Sequence, residues 1–366
     1  MKIEELKEAL GRIRDPRRID RGHILHKLED IIIIGLCTFV CNGSDFSDME
    51  AFGKEREEWL RGFLELPNGI PDSDTFRRVF ERLEPAALSE SLYDWLASNR
   101  KEGSVVAVDG KTICGSRNHD HRAYHVVSAF VAENQITLGE VVTEEKSNEI
   151  TAVPELLEAL QIKNSVVTAD AMSCQKGIVK TIRGKGADYV IGLKKNQPNL
   201  LEEISLYYDS FSQEIPVLTV REKGHGRIEK REYQLLTDLT WLNERESWAG
   251  LNAAGRVRTS VTHGEETSVD TRYFITSLTD LERFAHAVRS HWSIENQLHW
   301  CLDVIFKEDS SRARKDLSPL NLNVLRKVAL ALCKQCKNPK LSKSSLQKRR
   351  FRASLNPETF LSILLG

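Results

Sequence analysis

Between Gly103 and Leu193 the chain alternates β-branched runs with amphipathic stretches in an order that few folds accept. SVVAVDGKTI, AYHVVSAFVAE and QITLGEVVTE are separated by short polar stretches, which predicts three antiparallel strands joined by hairpins. In SNEITAVPELLEALQI, apolar Val153, Leu156, Leu157 and Leu160 keep helical spacing, with Ser147 or Asn148 as a candidate cap. SVVTADA then reads as a short buried strand, a helix runs through Ile178 and Ile182 to Gly184, and DYVIGLK closes the series as a strand. The predicted order is βββαβαβ. Parallel strands with helical crossovers place their working residues at strand C-terminal ends.

Two aspartates occupy such ends: Asp109 after VVAV and Asp170 after VVTA. An Asp after a strand commonly caps a turn, but Ala171 and Met172 give no reason to expect a polar cap at Asp170. A third carboxylate, Glu295, lies on an expected helix in HWSIENQLHWCLDVIFKED, where burial would be costly without a compensating cation. Carboxylates converging from separate elements are what two divalent ions need to be clamped against a phosphodiester. The fold expectation is therefore α/β, with a ribonuclease-H-like catalytic core, a β-rich insertion and an N-terminal helical domain. Asp109, Asp170 and Glu295 are the expected catalytic and metal-holding residues, with two Mg2+ (or Mn2+) ions as cofactors. A rival constellation sits on the same helix: His291, Glu295 and His299 at i, i+4, i+8 share one face, where a transition metal such as zinc is an alternative. No HExxH pattern is present, and Trp292 and Trp300 beside the histidines suggest packing or stacking on a base.

The flanks extend this plan. Residues 1–100 read as a helical domain, with helices over Ile3–Ile13, Leu28–Cys41, Phe46–Leu64 and Asp74–Leu83, the last capped by Asp72, Ser73 or Asp74 after a Pro/Gly turn. The core's first part spans 101–203. An insertion over 204–275 reads as two hairpins, across Gly224–Gly226 and across Gly264. Residues 276–320 return to the core with a helix from Asp280 to Phe306 carrying Glu295, and 321–366 form a basic helical end.

Composition narrows the function classes. With 366 residues the chain has room for two or three domains. The apolar run Ile31–Cys41 is too short to span a bilayer, and a charged helical pattern opens the chain, so a cytoplasmic, nucleoid-associated protein is expected. Seven cysteines without framework spacing argue for reduced thiols; Cys333 and Cys336 form a CxxC with no second pair to complete a zinc set. The net charge of −1 hides an uneven distribution: Lys307–Arg352 holds 14 Lys and Arg against 3 Asp and Glu. That is an electrostatic footprint for nucleic acid, or else a solvated face. Candidate DNA contacts are Lys111, Lys194, Lys195, Arg227, His291, Trp292, Asn296, His299 and Trp300. Lys111 has two readings, neutralising a phosphate or balancing an acidic pocket.

Over essentially its whole length the chain resembles the H-repeat-associated, DDE-type transposases of bacterial insertion sequences. LPNGIPDSDTFRRVF resembles the family's N-terminal associated domain, while VDGKT, TADAMSCQKG, LKKNQ, GHGRIEKREY and HWSIENQLHWCLDV resemble its catalytic region. The resemblance implies that Asp109, Asp170 and Glu295 are the DDE triad, that magnesium or manganese is used, and that double-stranded DNA, as element ends and target, is the partner. Acting on two ends implies a homo-oligomer on DNA. Three positions depart from the pattern: Cys114 and Cys301 stand where Arg is usual, and Ser173 where Gly is common. Cysteine cannot replace a bidentate charged donor, so phosphate binding would weaken. The alternatives are a DNA-binding element relic without catalysis and a stand-alone nuclease that never joins ends.

Overall fold

The computed structural model describes the chain except residues 1–2, 18–23, 98–102, 120–121, 144–148, 225 and 366. The candidate caps Ser147 and Asn148 lie outside the described residues. In chain order the elements are α1 (Ile3–Leu10), α2 (Leu28–Val40), α3 (Phe46–Glu55), α4 (Glu57–Leu60), α5 (Ser73–Phe80) and α6 (Pro85–Ala97). Then come β1 (Val105–Thr112), β2 (His125–Val131), β3 (Ile136–Thr143), α7 (Glu149–Ala159), β4 (Val166–Ala169), α8 (Lys176–Gly184) and β5 (Asp188–Leu193). The chain continues with α9 (Pro198–Phe211), β6 (Val217–Gly224), β7 (Arg227–Leu236), β8 (Ala253–His263), β9 (Glu266–Thr276) and α10 (Leu281–Ser293). It ends with α11 (Ser318–Gln335), α12 (Leu346–Leu355) and α13 (Pro357–Leu364). The architecture is mixed α/β, and the βββαβαβ chain order matches the sequence pattern. Among the described residues no helix is long and apolar enough to cross a membrane.

The chain divides into two compact units: Met1–Lys101 with Gly110–Lys146 and Glu295–Gly366, and Glu102–Asp109 with Ser147–Ile294. In the first, α2 is predominantly apolar beyond its first turn and almost wholly buried, so it becomes a central helix packed against α3 and α11. Gly35 on α2 lets Leu325, Phe80 and Met49 close in, since a Cβ there would already lie 3.1 Å from Leu325. Asp45 and Asp72 cap α3 and α5 by accepting the Asp48 and Thr75 N–H at 3.0 and 2.7 Å. The single helix expected over Phe46–Leu64 is broken at Arg56, whose φ of −120° leaves the helical well. β2 and β3 pair antiparallel with an irregularity at Ala129/Phe130.

The basic C-terminal segment differs from its expectation. Arg326, Lys327 and Arg350 are buried. Lys327 donates to Ser128 Oγ at 2.9 Å and pairs with Glu140. Arg350 donates to the carbonyls of Phe39 (3.0 Å) and Ile305 (2.7 Å), and Arg349 to that of Cys333 (2.8 Å). Part of the charge run therefore serves the interior, where a buried cation persists only when an anion or several carbonyls satisfy it. Cys333 and Cys336 are free and buried, and burial pushes the Cys333 thiol up to about 12.

In the second unit the strand order is β1-β4-β5-β9-β8-β7-β6. β1, β4 and β5 run parallel, and β9 joins antiparallel through Ile191↔Ile275, so the two predicted hairpins prolong the sheet that carries the parallel strands. Gly264, at φ +62°, turns the β8–β9 hairpin in a conformation glycine adopts without penalty. Gly255 lets α10 lie on this sheet: a Cβ there would sit 2.2 Å from Phe284 Cζ. From Ile294 the helix that begins as α10 changes to π geometry over Ile294–His299 and again over Cys301–Ile305.

Candidate catalytic carboxylates

In the β1–β4 register, Val108 faces Ala169. The next residues on these neighbouring parallel strands are Asp109 and Asp170, both half-buried. Asp170 follows the last residue of β4 as expected, whereas β1 runs on to Thr112, so Asp109 lies within its strand and not at the end the sequence suggested. Strands lie about 4.8 Å apart. Asp170 is also a cap, contrary to expectation: its Oδ1 accepts the N–H of Met172 at 2.9 Å and of Ser173 at 3.4 Å, closing a short 3-10 turn over Ala171–Ser173. The first N–H groups of any helical turn need an acceptor, whatever side chains follow. Both bonds fall on one oxygen, which fixes the carboxylate's orientation.

The turn after β5 is tied to the same place. Asn196 Nδ2 donates to Ala171 O at 2.6 Å and Gln197 Nε2 to Cys174 O at 2.9 Å. Gly192 permits the approach, since a Cβ would lie 3.2 Å from Ala171 N. The loop bearing exposed Lys194 and Lys195 is thus fastened to the Asp170 turn. Asn196 and Gln197 belong to the LKKNQ motif, but their fastening role is not readable from sequence, because amides in a turn carry no distinctive pattern.

Glu295 is the second residue of the π-helical stretch and is exposed. Its Oε2 lies 3.2 Å from His299 Nδ1, and this hydrogen bond lowers the Glu295 pKa despite some desolvation. His299 is buried. His291 Nδ1 shares a hydrogen bond of 3.1 Å with Thr168 Oγ1 on β4, two residues before Asp170. The i, i+4, i+8 face imagined for His291, Glu295 and His299 presumes 3.6 residues per turn, which the π segment does not keep. Trp292 is exposed beneath the Arg272 guanidinium, 4.9 Å from its ring centre; Asn296 and Trp300 are exposed. Arg227 is exposed at the start of β7.

Lys111 meets three carboxylates, Asp303 at 2.7 Å, Glu308 at 3.2 Å and Asp309 at 3.8 Å. Burial disfavours its charge, but Glu308 and Asp303 outweigh that and raise its pKa. Of its two sequence readings, this geometry is that of a lysine balancing an acidic pocket. Glu308 is fully buried and accepts from Asn323 Nδ2 at 2.8 Å, with Arg326 at 3.5 Å. Against desolvation, Arg326 and Lys111 hold Glu308 below the usual carboxylate range. Of the departing positions, Cys114 is exposed and Cys301 buried. Ser173 has an ordinary negative φ, so its backbone asks for no glycine.

Residues 7–96 match the family described as DDE_Tnp_1-associated, and residues 100–332 match the Transposase DDE domain. The chain is 36% identical over 376 residues to "Putative transposase YncI" of Escherichia coli O157:H7, covering 97% of this chain and 93% of that protein. It is 33% identical over 385 residues to "H repeat-associated putative transposase YhhI" of Escherichia coli K12, covering 100% and 99%. A third relative, "H repeat-associated putative transposase YbfD" of the same strain, is 34% identical over 245 residues, covering 63% of this chain and 93% of that protein.

Proposed function

This chain belongs to the DDE transposases, and from that premise we propose that it cuts DNA at the ends of an insertion sequence and joins them to a target through Asp109, Asp170 and Glu295. The observation that carries the assignment is the parallel β1–β4 register, in which Val108↔Ala169 makes Asp109, within β1, a neighbour of Asp170, just past the end of β4. The third member is supported by its place within the matched Transposase DDE domain and by His299, whose hydrogen bond favours the ionised Glu295 carboxylate. The βββαβαβ order with parallel β1, β4 and β5 supports a ribonuclease-H-like core over 101–203 and 276–320, with 204–275 inserted, 1–100 as the associated helical domain and 321–366 as a basic helical end.

The donor set suits a hard divalent cation. All three side chains offer carboxylate oxygens, Asp170 is oriented by two N–H groups on Oδ1, and His299 favours the ionised form of Glu295. Two Mg2+ or Mn2+ ions held by Asp109, Asp170 and Glu295 would supply activation of the attacking oxygen and stabilisation of the leaving one. Asp109 and Asp170 offer adjacent carboxylates to a phosphodiester, and the exposure of Lys194, Lys195 and Arg227 supports a role for them on phosphate oxygens. Asn296, Trp292 and Trp300 offer polar and aromatic contacts to bases. Two ends processed together call for at least two copies on the DNA, and chromosomal DNA as substrate puts the protein in the nucleoid.

The test is incubation with labelled duplexes carrying the element's own ends, with magnesium or manganese, beside Asp109→Asn, Asp170→Asn and Glu295→Gln proteins. Cut and joined products that disappear in each variant are expected; undiminished cutting by all three would overturn the assignment. A second reading, end binding without cutting, is favoured by Cys114 and Cys301, which bring no guanidinium to the phosphates. Binding by the parent with no metal-dependent cleavage would establish it.

A further inference from the structure

The four strands β6–β9 form a meander whose distal half is exposed on both faces. An antiparallel sheet normally buries one face, and here the two faces differ in charge. Side chains alternate along a strand, and the cross-strand pairs sort them into rows. On one face, Arg221, Lys230, Ser260 and Val269 form a row, followed by Lys223, Ile228, Thr262 and Thr267. A third row on this face includes Glu232 and Arg258. The Thr262–Thr267 hydroxyl bond at 2.9 Å and the Lys230–Glu232 pair at 2.6 Å fit this sorting. On the opposite face charge is consumed internally: Arg231 binds Glu222 (2.6 Å) and Glu229, Arg289 of α10 binds Glu222 (3.2 Å), and Arg272 binds Asp270 (2.7 Å).

The first face is different in kind. Among the described residues its distal rows carry four cations, Arg221, Lys223, Lys230 and Arg258, against one carboxylate, Glu232, which is taken by Lys230; Arg256, one row nearer the core on the same face, is engaged with Gln234. No carboxylate among the described residues pairs with Arg221, Lys223 or Arg258, and all three are exposed. Between them lie hydroxyl side chains such as Ser260 and Thr262, which donate to phosphate oxygens without bulk. Ile228 and Val269 are exposed to 49% and 51% on this face, so it is open rather than packed.

We propose that this face of β6–β9, through Arg221, Lys223 and Arg258, binds the phosphate backbone of duplex DNA without reading its sequence. The inference rests on the reading of the chain as a DNA-acting enzyme and adds a surface to it. Charge complementarity selects the occupant: three exposed cations without a carboxylate partner among the described residues, on a hydroxyl-lined sheet face, match a regular array of phosphates. The edge position of β6 gives Arg221 and Lys223 a rival role, since edge-strand cations also discourage pairing between chains.

The experiment compares the parent, an Arg221→Ser, Lys223→Ser, Arg258→Ser protein, and a Lys54→Ser, Lys163→Ser, Lys180→Ser protein with the same charge change away from the sheet. Binding to unrelated duplexes is followed by fluorescence anisotropy against salt, with circular dichroism verifying the fold. The sheet variant is expected to bind every duplex at least about tenfold more weakly at low salt, with a log–log salt slope shallower by about 3, while the control keeps the parent's slope. Three results would overturn the proposal: equal losses in both variants; parental binding by the sheet variant, with or without new self-association; and a slope changed for one duplex sequence only. A parent that binds no duplex would sink the enzymatic reading as well, whereas a parent that binds and cuts beside an unaffected sheet variant would sink this surface alone.

Discussion

Lys111, Glu308 and Arg326 show how one buried carboxylate holds two cations. Glu308 is fully buried, Arg326 is 1% exposed, and the Lys111 side chain is 10% exposed. None of the three stands out in the sequence, because a Glu in FKED and an Arg in VLRKV look like surface residues until burial is known. Removing the anion alone leaves buried positive charge uncompensated, which typically costs about 3–5 kcal/mol. Glu308→Gln should therefore lower the urea midpoint strongly at neutral pH. The pH dependence has a definite sign. The folded pKa of Glu308 lies below the ordinary value, so its contribution is complete above the ordinary carboxylate range and fades as pH falls through the depressed folded pKa. The gap in midpoint between parent and Glu308→Gln should be full at pH 7 and narrow only in that acidic window; a gap independent of pH would show that the charge is not what matters.

Among elements, strands were the most legible and helix irregularities the least. β1, β2, β3, β4 and β5 announce themselves as β-branched runs, and Gly264 marks its hairpin. The break at Arg56 and the π geometry from Ile294 leave no comparable trace, because six residues are too few for a changed period to show in an apolar pattern. The aspartates were legible from their strands, whereas the capping duty of Asp170 depends on a turn that only the fold reveals. Gly255 illustrates the same limit: in GRVRTSV it reads as a strand opening, yet it is where α10 meets the sheet. Gly255→Ala would drive a methyl into the Phe284 ring, and overpacking of this kind costs typically about 1–3 kcal/mol. Thermal unfolding should show that loss, and Gly255→Ala with Phe284→Leu should recover part of it, since residues in contact couple non-additively. Simple additivity of the two changes would mean that the ring is not the obstacle.

At the scale of the whole molecule, the net charge of −1 and the basic run over Lys307–Arg352 are both poor guides to where positive charge acts. Composition counts Arg350 as part of a nucleic-acid footprint; the fold makes it a tie between sequence-distant parts of one compact unit. Its guanidinium donates to Phe39 O at the end of α2, 311 residues away, and to Ile305 O, and stacks 3.9 Å from the centre of the Phe306 ring. Desolvation lowers its pKa to about 10, so it keeps its proton at neutral pH. Arg221, Lys223 and Arg258, by contrast, belong to segments whose local charge is unremarkable, and only register gathers them on one face. The two sets should separate in experiment. Arg350→Met strands buried carbonyls, each worth roughly 1–3 kcal/mol, so the unfolding midpoint should fall while the salt slope of DNA binding, measured well below that midpoint, stays at the parent's value. A shallower slope with unchanged stability would return Arg350 to the DNA-contacting role its sequence neighbourhood suggests.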